Sequence, residues 1–287
     1  MRHSPLTVAP LAGTQAAGTP VAGGGRAAGD TAPAPTLVAV AHGSTDPRAA
    51  ASVDALLGLV RARAARAGHP GLDVRAAYLG HAAPTIGQAL ATLDGEAVVL
   101  PLLLTAAYHS KTDIPKALRE ARAAQPRLDI TYGSPLGPHP LLRHALDRRL
   151  AEALGPAGAR QGPSPGGTAV ILAAAGSSDP AANAVISDLA ADWQSARGWR
   201  AVLPAYASAA SPTPPEAVAA ARRAGARHVL VASYLLSPGV FADQVRRECL
   251  AAGATAVAPV LGAAPEVADV VLGRYAESLA DGAAAAV

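Results

Sequence analysis

Cysteine, phenylalanine and methionine each occur once in these 287 residues, lysine only twice, and aromatic residues together make up 3%. One cysteine, Cys249, excludes an internal disulfide and any four-cysteine zinc or iron–sulfur centre. With so few rings, the cores must be built from Val, Leu, Ile and Ala, which dominate a hydrophobic content of 51%. The longest predominantly apolar stretch, residues 97–107, has 11 positions and includes Pro101, too short for a membrane span. Arg2 is not followed by an apolar core and cleavage site, so no signal peptide is expected. Net charge is only +3, and no basic stripe interleaves with aromatics, which argues against nucleic acid and leaves room for a small polyanion. The expectation is a cytoplasmic protein with no membrane partner.

What the chain does have is a repeat. Ala-His-Gly-Ser-Thr-Asp-Pro at residues 41–47 returns as Ala-Ala-Gly-Ser-Ser-Asp-Pro at 174–180. Tyr-Leu-Gly-His-Ala-Ala-Pro-Thr from Tyr78 returns as Tyr-Ala-Ser-Ala-Ala-Ser-Pro-Thr from Tyr206. Leu-Thr-Ala-Ala-Tyr-His from Leu104 returns as Leu-Ser-Pro-Gly-Val-Phe from Leu236, and Pro-Leu-Gly-Pro-His-Pro from Pro135 returns loosely from Val260. The offsets are about 133, 128, 132 and 125, so register barely drifts. In this pairing His42, His81, His109 and His139 become Ala175, Ala209, Phe241 and Ala264. Both halves keep the turns and only the first keeps the imidazoles, so chemistry is expected there.

Residues 1–35 are rich in Ala, Gly, Pro and Thr and cannot bury enough apolar surface to offset ordering entropy, which predicts a mobile tail. Residues 155–167, with Gly-Pro-Ser-Pro-Gly-Gly, read as a linker between domains at 36–154 and 168–282. Short apolar runs at 36–41, 72–79, 96–104 and 128–132 predict buried strands, each followed by a turn and a helical pattern. Those helices are expected at about 46–67, 84–93, 113–124 and 138–154, with Asp46 and Asp113 as N-caps before a first-turn proline. The second half repeats the pattern, with strands near 168–173, 199–206, 227–234 and 255–259. Alternating β and α with short loops predicts two α/β domains, each a four-stranded parallel sheet with helices on both faces, facing across a cleft.

His42, His81, His109 and His139 each follow a predicted strand. Strand C-termini of a parallel sheet share one edge, where ligands bind, so four scattered residues would converge on one rim. Neutral imidazole binds Fe, Co, Ni or Zn and exchanges protons near neutral pH. No short zinc spacing is present, which suits transient metal handling. His42 and His109 are the strongest candidates, since Gly43 and Ser44 are explained by the turn alone and His109 interrupts an apolar region. His81 precedes Pro84 in a loop, and His139 sits in a Gly-Pro-His-Pro turn that needs no chemistry. Lys111, Lys116, Arg119 and Arg122 follow His109 as either a solvated helix face or a rim that grips carboxylates. Ser44, Thr45 and Asp46 read as an N-cap cluster, although Gly43 and the helix start suit an anion.

At these residues the chain resembles the sirohydrochlorin chelatases, class II tetrapyrrole chelatases of the two-domain kind. The matching words are Ala41-His42-Gly43-Ser44, the strand from Val98 leading to Tyr108-His109, Asp113-Ile114-Pro115, and Pro135-Leu136-Gly137. The resemblance covers roughly residues 36–280 and is densest before residue 142. It implies two chelatase-like domains holding a tetrapyrrole in the cleft, and insertion of Fe2+ or Co2+ into sirohydrochlorin toward sirohaem or cobalamin. It further implies His42 and His109 as catalytic metal-contacting residues, with Ser44, Tyr108, Lys111 and Arg119 as substrate-binding candidates. Family members often carry an acidic residue where this chain has Gly80, within Tyr78-Leu79-Gly80-His81, and His81 is the candidate replacement. No tightly bound cofactor is implied, the metal being a substrate, and a fused pair of domains favours a monomer.

Two rivals stand beside this reading. Histidine phosphatases also open with a strand and His-Gly, but their word is Arg-His-Gly and this chain has Ala41 before His42. A carrier of metal or tetrapyrrole would bind without turnover.

Overall fold

The computed structural model describes residues 34–106, 109–161 and 163–285. The predicted mobile tail lies outside them except for Ala34 and Pro35. The first half runs β1 (Thr36–Ala41), α1 (Pro47–Arg66), β2 (Val74–Tyr78), α2 (Ile86–Leu90), β3 (Glu96–Pro101), α3 (Ile114–Ala124), β4 (Asp129–Tyr132) and α4 (Pro140–Gln161). The second runs β5 (Thr168–Ala174), α5 (Pro180–Arg197), β6 (Ala201–Tyr206), α6 (Pro214–Arg223), β7 (His228–Tyr234), α7 (Val240–Ala251), β8 (Ala256–Val257) and α8 (Pro265–Ala285). Each half forms a four-stranded parallel sheet, ordered β2-β1-β3-β4 and β6-β5-β7-β8.

The strands are apolar on both faces because both faces are covered. Leu37, Ala39 and Ala41 of β1 join one core with Val170, Leu172 and Ala174 of β5. Val38 and Val40 point instead to a core with α2 and α3, and Ala169, Ile171 and Ala173 to one with α6 and α7. Helices α1, α4, α5 and α8 contribute buried residues to the shared inner core, so they form a middle layer between the sheets. The molecule is therefore five layers deep, helix–sheet–helix–sheet–helix.

Within that middle layer, the last helix of each half crosses to the other sheet. α4 packs on β7 and β8, while α8 packs on β3, β4 and α1. Arg148 of α4 pairs with Glu266 of α8 at 2.8 Å, and Asp147 accepts from the Trp193 indole of α5 at 3.0 Å. Tyr275 of α8 donates to the Pro35 carbonyl ahead of β1 at 2.7 Å. Gly133, just after β4, lies so close to α8 that a Cβ there would sit 2.4 Å from Ser278 Oγ. The sequence places each helix in its own half, but an apolar stripe does not specify which sheet covers it.

Three local expectations need correction. Asp113 is not an N-cap: it has helical φ and ψ, makes no side-chain cap, and ends a π-helical turn (His109–Asp113) that runs directly into α3. Strand β3 stops at Pro101 rather than continuing to residue 104. The segment expected as a linker is helical in its first part, because α4 breaks at Gly155 (φ +70°, ψ −178°) and resumes to Gln161. Asp46 does cap α1, accepting from the Arg48 N–H, and Asp179 caps α5 in the same way. No helix among the described residues is long and apolar enough to cross a membrane.

Candidate functional site

In a sheet ordered β2-β1-β3-β4, the chain leaves β1 toward one edge and β3 toward the other, opening a crevice beyond their C-termini. The second sheet opens its crevice beyond β5 and β7. The two crevices merge into one cavity of about 610 Å3, walled by residues following β1 and β3 on one side and β5 and β7 on the other. Its floor includes Tyr78 and Tyr234, and burial raises the pKa of both phenols, so neither ionises near neutral pH.

The turn after β1 is fixed by its backbone. Gly43 has φ +88°, and a Cβ there would fall 1.7 Å from the Gly80 carbonyl oxygen. The Gly80 N–H donates to the His42 carbonyl at 3.2 Å, locking the loops after β1 and β2 together. Ser44 Oγ accepts from the Asp46 N–H at 3.1 Å, closing the turn onto the α1 cap. The second half repeats each contact without an imidazole. Gly176 has φ +87° and faces the Ser208 carbonyl, the Ser208 N–H donates to the Ala175 carbonyl at 2.9 Å, and Ser177 Oγ accepts from the Asp179 N–H at 3.0 Å. Glycine is required at both turns by sterics. Histidine is required by neither.

His42 is exposed to the cavity, with Nδ1 3.4 Å from the Gly43 carbonyl oxygen. Ser44 lines the cavity beside it. His81 is exposed at φ +59°, the same left-handed turn that Ala209 adopts at φ +58°; its neighbour Ala82 lines the cavity and His81 itself does not. His109 opens the π-helical turn that follows β3; Tyr108 lies outside the described residues. Lys111 in that turn reaches the other half, pairing with Asp179 at 3.1 Å. That bond, with the cap of α5, holds the Asp179 carboxyl below the usual carboxylate range. Arg119 is on the solvent side of α3, outside the cavity lining. His139 lies apart from the cavity lining, and its Nδ1 accepts from the Leu141 N–H at 3.1 Å at the start of α4.

Among the described residues His42 is the single imidazole of the lining, and no Asp, Glu, Lys or Arg joins it. No three His, Cys, Asp or Glu side chains among those residues converge as a metal site. Cys249 is no ligand here, being buried in the outer core of the second sheet with its thiol pushed up to about 12. Sequence reasoning missed two features of this site. The apolar pair Val240-Phe241 lines the cavity at the start of α7, and Arg48 reaches across from α1 to Asp243 at 2.5 Å. The signal for the first was available, since Phe241 is the sole phenylalanine and occupies the repeat position of His109.

Two parallel sheets sharing one cavity at their switch points, lined among the described residues by imidazole from the first half alone, define a duplicated α/β protein with a single asymmetric site. The chain belongs to the CbiX family, whose model matches residues 36–153 and again residues 169–278. It is 29% identical over 175 residues to a sirohydrochlorin ferrochelatase of Priestia megaterium, covering 60% of this chain and 63% of that protein. It is also 29% identical over 171 residues to a sirohydrochlorin cobaltochelatase of the same organism, covering 58% and 55%. The chain thus spans less than two thirds of these relatives' lengths. SirB from Bacillus subtilis with Fe3+ shares the fold, with a TM-score of 0.71 at 23% identity over 88% of this chain and 98% of that one.

Proposed function

We propose that this protein is a sirohydrochlorin chelatase that inserts Fe2+ or Co2+ into the free tetrapyrrole, working as a single chain. The observation that carries the reading is the cavity: two similar walls from two halves, with His42 on the wall from the first half and Ala175 at the matching place in the second. Membership of the CbiX family and the names of the Priestia megaterium relatives support the same chemistry.

Insertion of M2+ forms four metal–nitrogen bonds and releases two pyrrole protons, so the site needs a metal donor and a proton acceptor. His42 supplies either role from the cavity wall. Its Nδ1 lies 3.4 Å from the Gly43 carbonyl oxygen, and in the neutral ring one of the two nitrogens carries the lone pair that either role needs. His109, following β3, is the second such group, and His81 at the rim assists where other family members have a carboxylate. Because the lining has no carboxylate among the described residues, the leaving protons pass to imidazole and then to water. Ser44 in the wall, and Lys111, which lies outside the lining and pairs with Asp179, are the candidate contacts for peripheral carboxylates. Tyr108 and Arg119 complete the candidate binding set, Arg119 from outside the lining.

Anaerobic absorbance of sirohydrochlorin with Co2+ or Fe2+ and catalytic amounts of protein tests the reading. Accelerated conversion over many turnovers is expected, together with loss of that acceleration in His42→Ala/His109→Ala. A spectral change that stops at one equivalent, or a folded double variant with full activity, refutes it.

A further inference from the structure

The second half's share of the cavity lining is largely apolar and partly aromatic. Val240 and Phe241 are 76% and 44% exposed, and they are adjacent at the start of α7. Both line the cavity, whereas the third exposed large hydrophobic among the described residues, Leu250, does not. A chain with 3% aromatics leaves its sole phenylalanine half-open in the lining of its cavity, with part of the ring uncovered by protein. Gly239 precedes the pair at φ +155°, a conformation that glycine supplies, and lines the cavity with them.

The start of α7 is also held from the opposite half. Asp243, two residues past Phe241, accepts from Arg48 Nη1 and Nη2 at 3.3 and 2.5 Å. The same guanidinium is fixed by Asp46 through Nε at 3.1 Å and Nη2 at 2.5 Å. Asp46 caps α1 and closes the turn that begins at His42. One short stretch, residues 42–48, therefore both presents His42 and fixes the element that carries Phe241. At the equivalent place in the repeat, Lys111 meets Asp179 directly. Asp243 stands where Lys111 stands, so Arg48 is needed to reconcile two carboxylates.

We infer that Phe241, with Val240, is the platform on which the flat conjugated face of the tetrapyrrole rests opposite His42, and that Arg48 is a positioning residue that holds it there. This rests on the chelatase reading, since the ring selects a broad π-face rather than a metal ion alone. A platform acts on binding of the macrocycle before and during insertion, and so lowers KM more than it raises kcat.

The test uses the full chain and metal-free sirohydrochlorin, with affinity read by absorbance change and KM and kcat read by Co2+ insertion. Phe241→Ala should weaken metal-free binding about tenfold and raise KM in proportion, with kcat within about threefold of wild type. Phe241→Trp should restore binding and Phe241→Leu should restore less, a ranking that a packing role would not produce. Arg48→Ala should weaken binding in the wild-type background and add nothing further in Phe241→Ala. Binding by Phe241→Ala within twofold of an active wild type overturns the platform, and full additivity of the two substitutions overturns the role of Arg48. A wild type that neither binds nor metallates sirohydrochlorin overturns the functional reading itself.

Discussion

Replacing Gly43 by alanine probes the turn that carries His42, and the duplication provides its own control in Gly176. At φ +88° an alanine is strained by about 1–2 kcal/mol. Its Cβ, 1.7 Å from the Gly80 carbonyl oxygen, also forces the loops after β1 and β2 apart. That motion removes the Gly80 N–H bond to the His42 carbonyl, worth about 0.5–1.5 kcal/mol. A total loss of about 3 kcal/mol is expected. Gly176→Ala meets the same terms, with φ +87°, a Cβ 2.0 Å from the Ser208 carbonyl oxygen and the Ser208 N–H bond to Ala175 at stake. Urea unfolding should therefore show similar losses for the two variants, within about 1 kcal/mol. Metal insertion, assayed where both remain folded, should separate them, because only Gly43→Ala displaces an imidazole. Retention of wild-type stability by Gly43→Ala, or equal damage to insertion by both variants, would refute the reasoning.

Two other outcomes follow from the packing. His139 accepts the Leu141 N–H through Nδ1, and burial, aided by the nearby Arg274 charge and opposed by Glu277, lowers its pKa from the usual histidine value. Its folded pKa being depressed, the neutral cap contributes fully above about pH 6.5 and is lost as pH falls through the folded value. His139→Ala should cost about 1 kcal/mol in urea unfolding at pH 8 and progressively less toward pH 5; a cost that grows on acidification would contradict this account. Expressed alone, residues 36–167 lose α8 from β3 and β4 and leave α4 without β7 and β8. Size-exclusion chromatography should find self-association or aggregation, and a monomer with a cooperative unfolding transition would show that the helix exchange is dispensable.

The unequal legibility of the site has a physical basis. Gly43 and Gly176 were readable because positive φ admits few residues, so the turn leaves the same letters in both halves. His42 was readable because nothing in that turn needs an imidazole, as Ala175 shows. Asp113 was misread since Asp before Ile-Pro has the composition of an N-cap, yet a π-helical turn already satisfies that backbone. Phe241 was passed over as the absence of a histidine. Its exposure, not its type, reveals its use, and exposure depends on what packs nearby.

By itself the sequence determined the duplication, the strand–helix alternation, the two parallel sheets and the confinement of the turn histidines to the first half. These are local properties, set by apolar periodicity and by the few residues each turn tolerates. Tertiary structure alone decided that α4 and α8 trade sheets, that four helices form a common middle layer, and that two crevices join into one cavity. It also decided that Arg48 bridges Asp46 and Asp243, residues far apart in the chain. An apolar stripe states that a helix face must be buried and a charge states that it needs a counterion. Neither names its partner, which is fixed only when all the elements compete for the same surfaces.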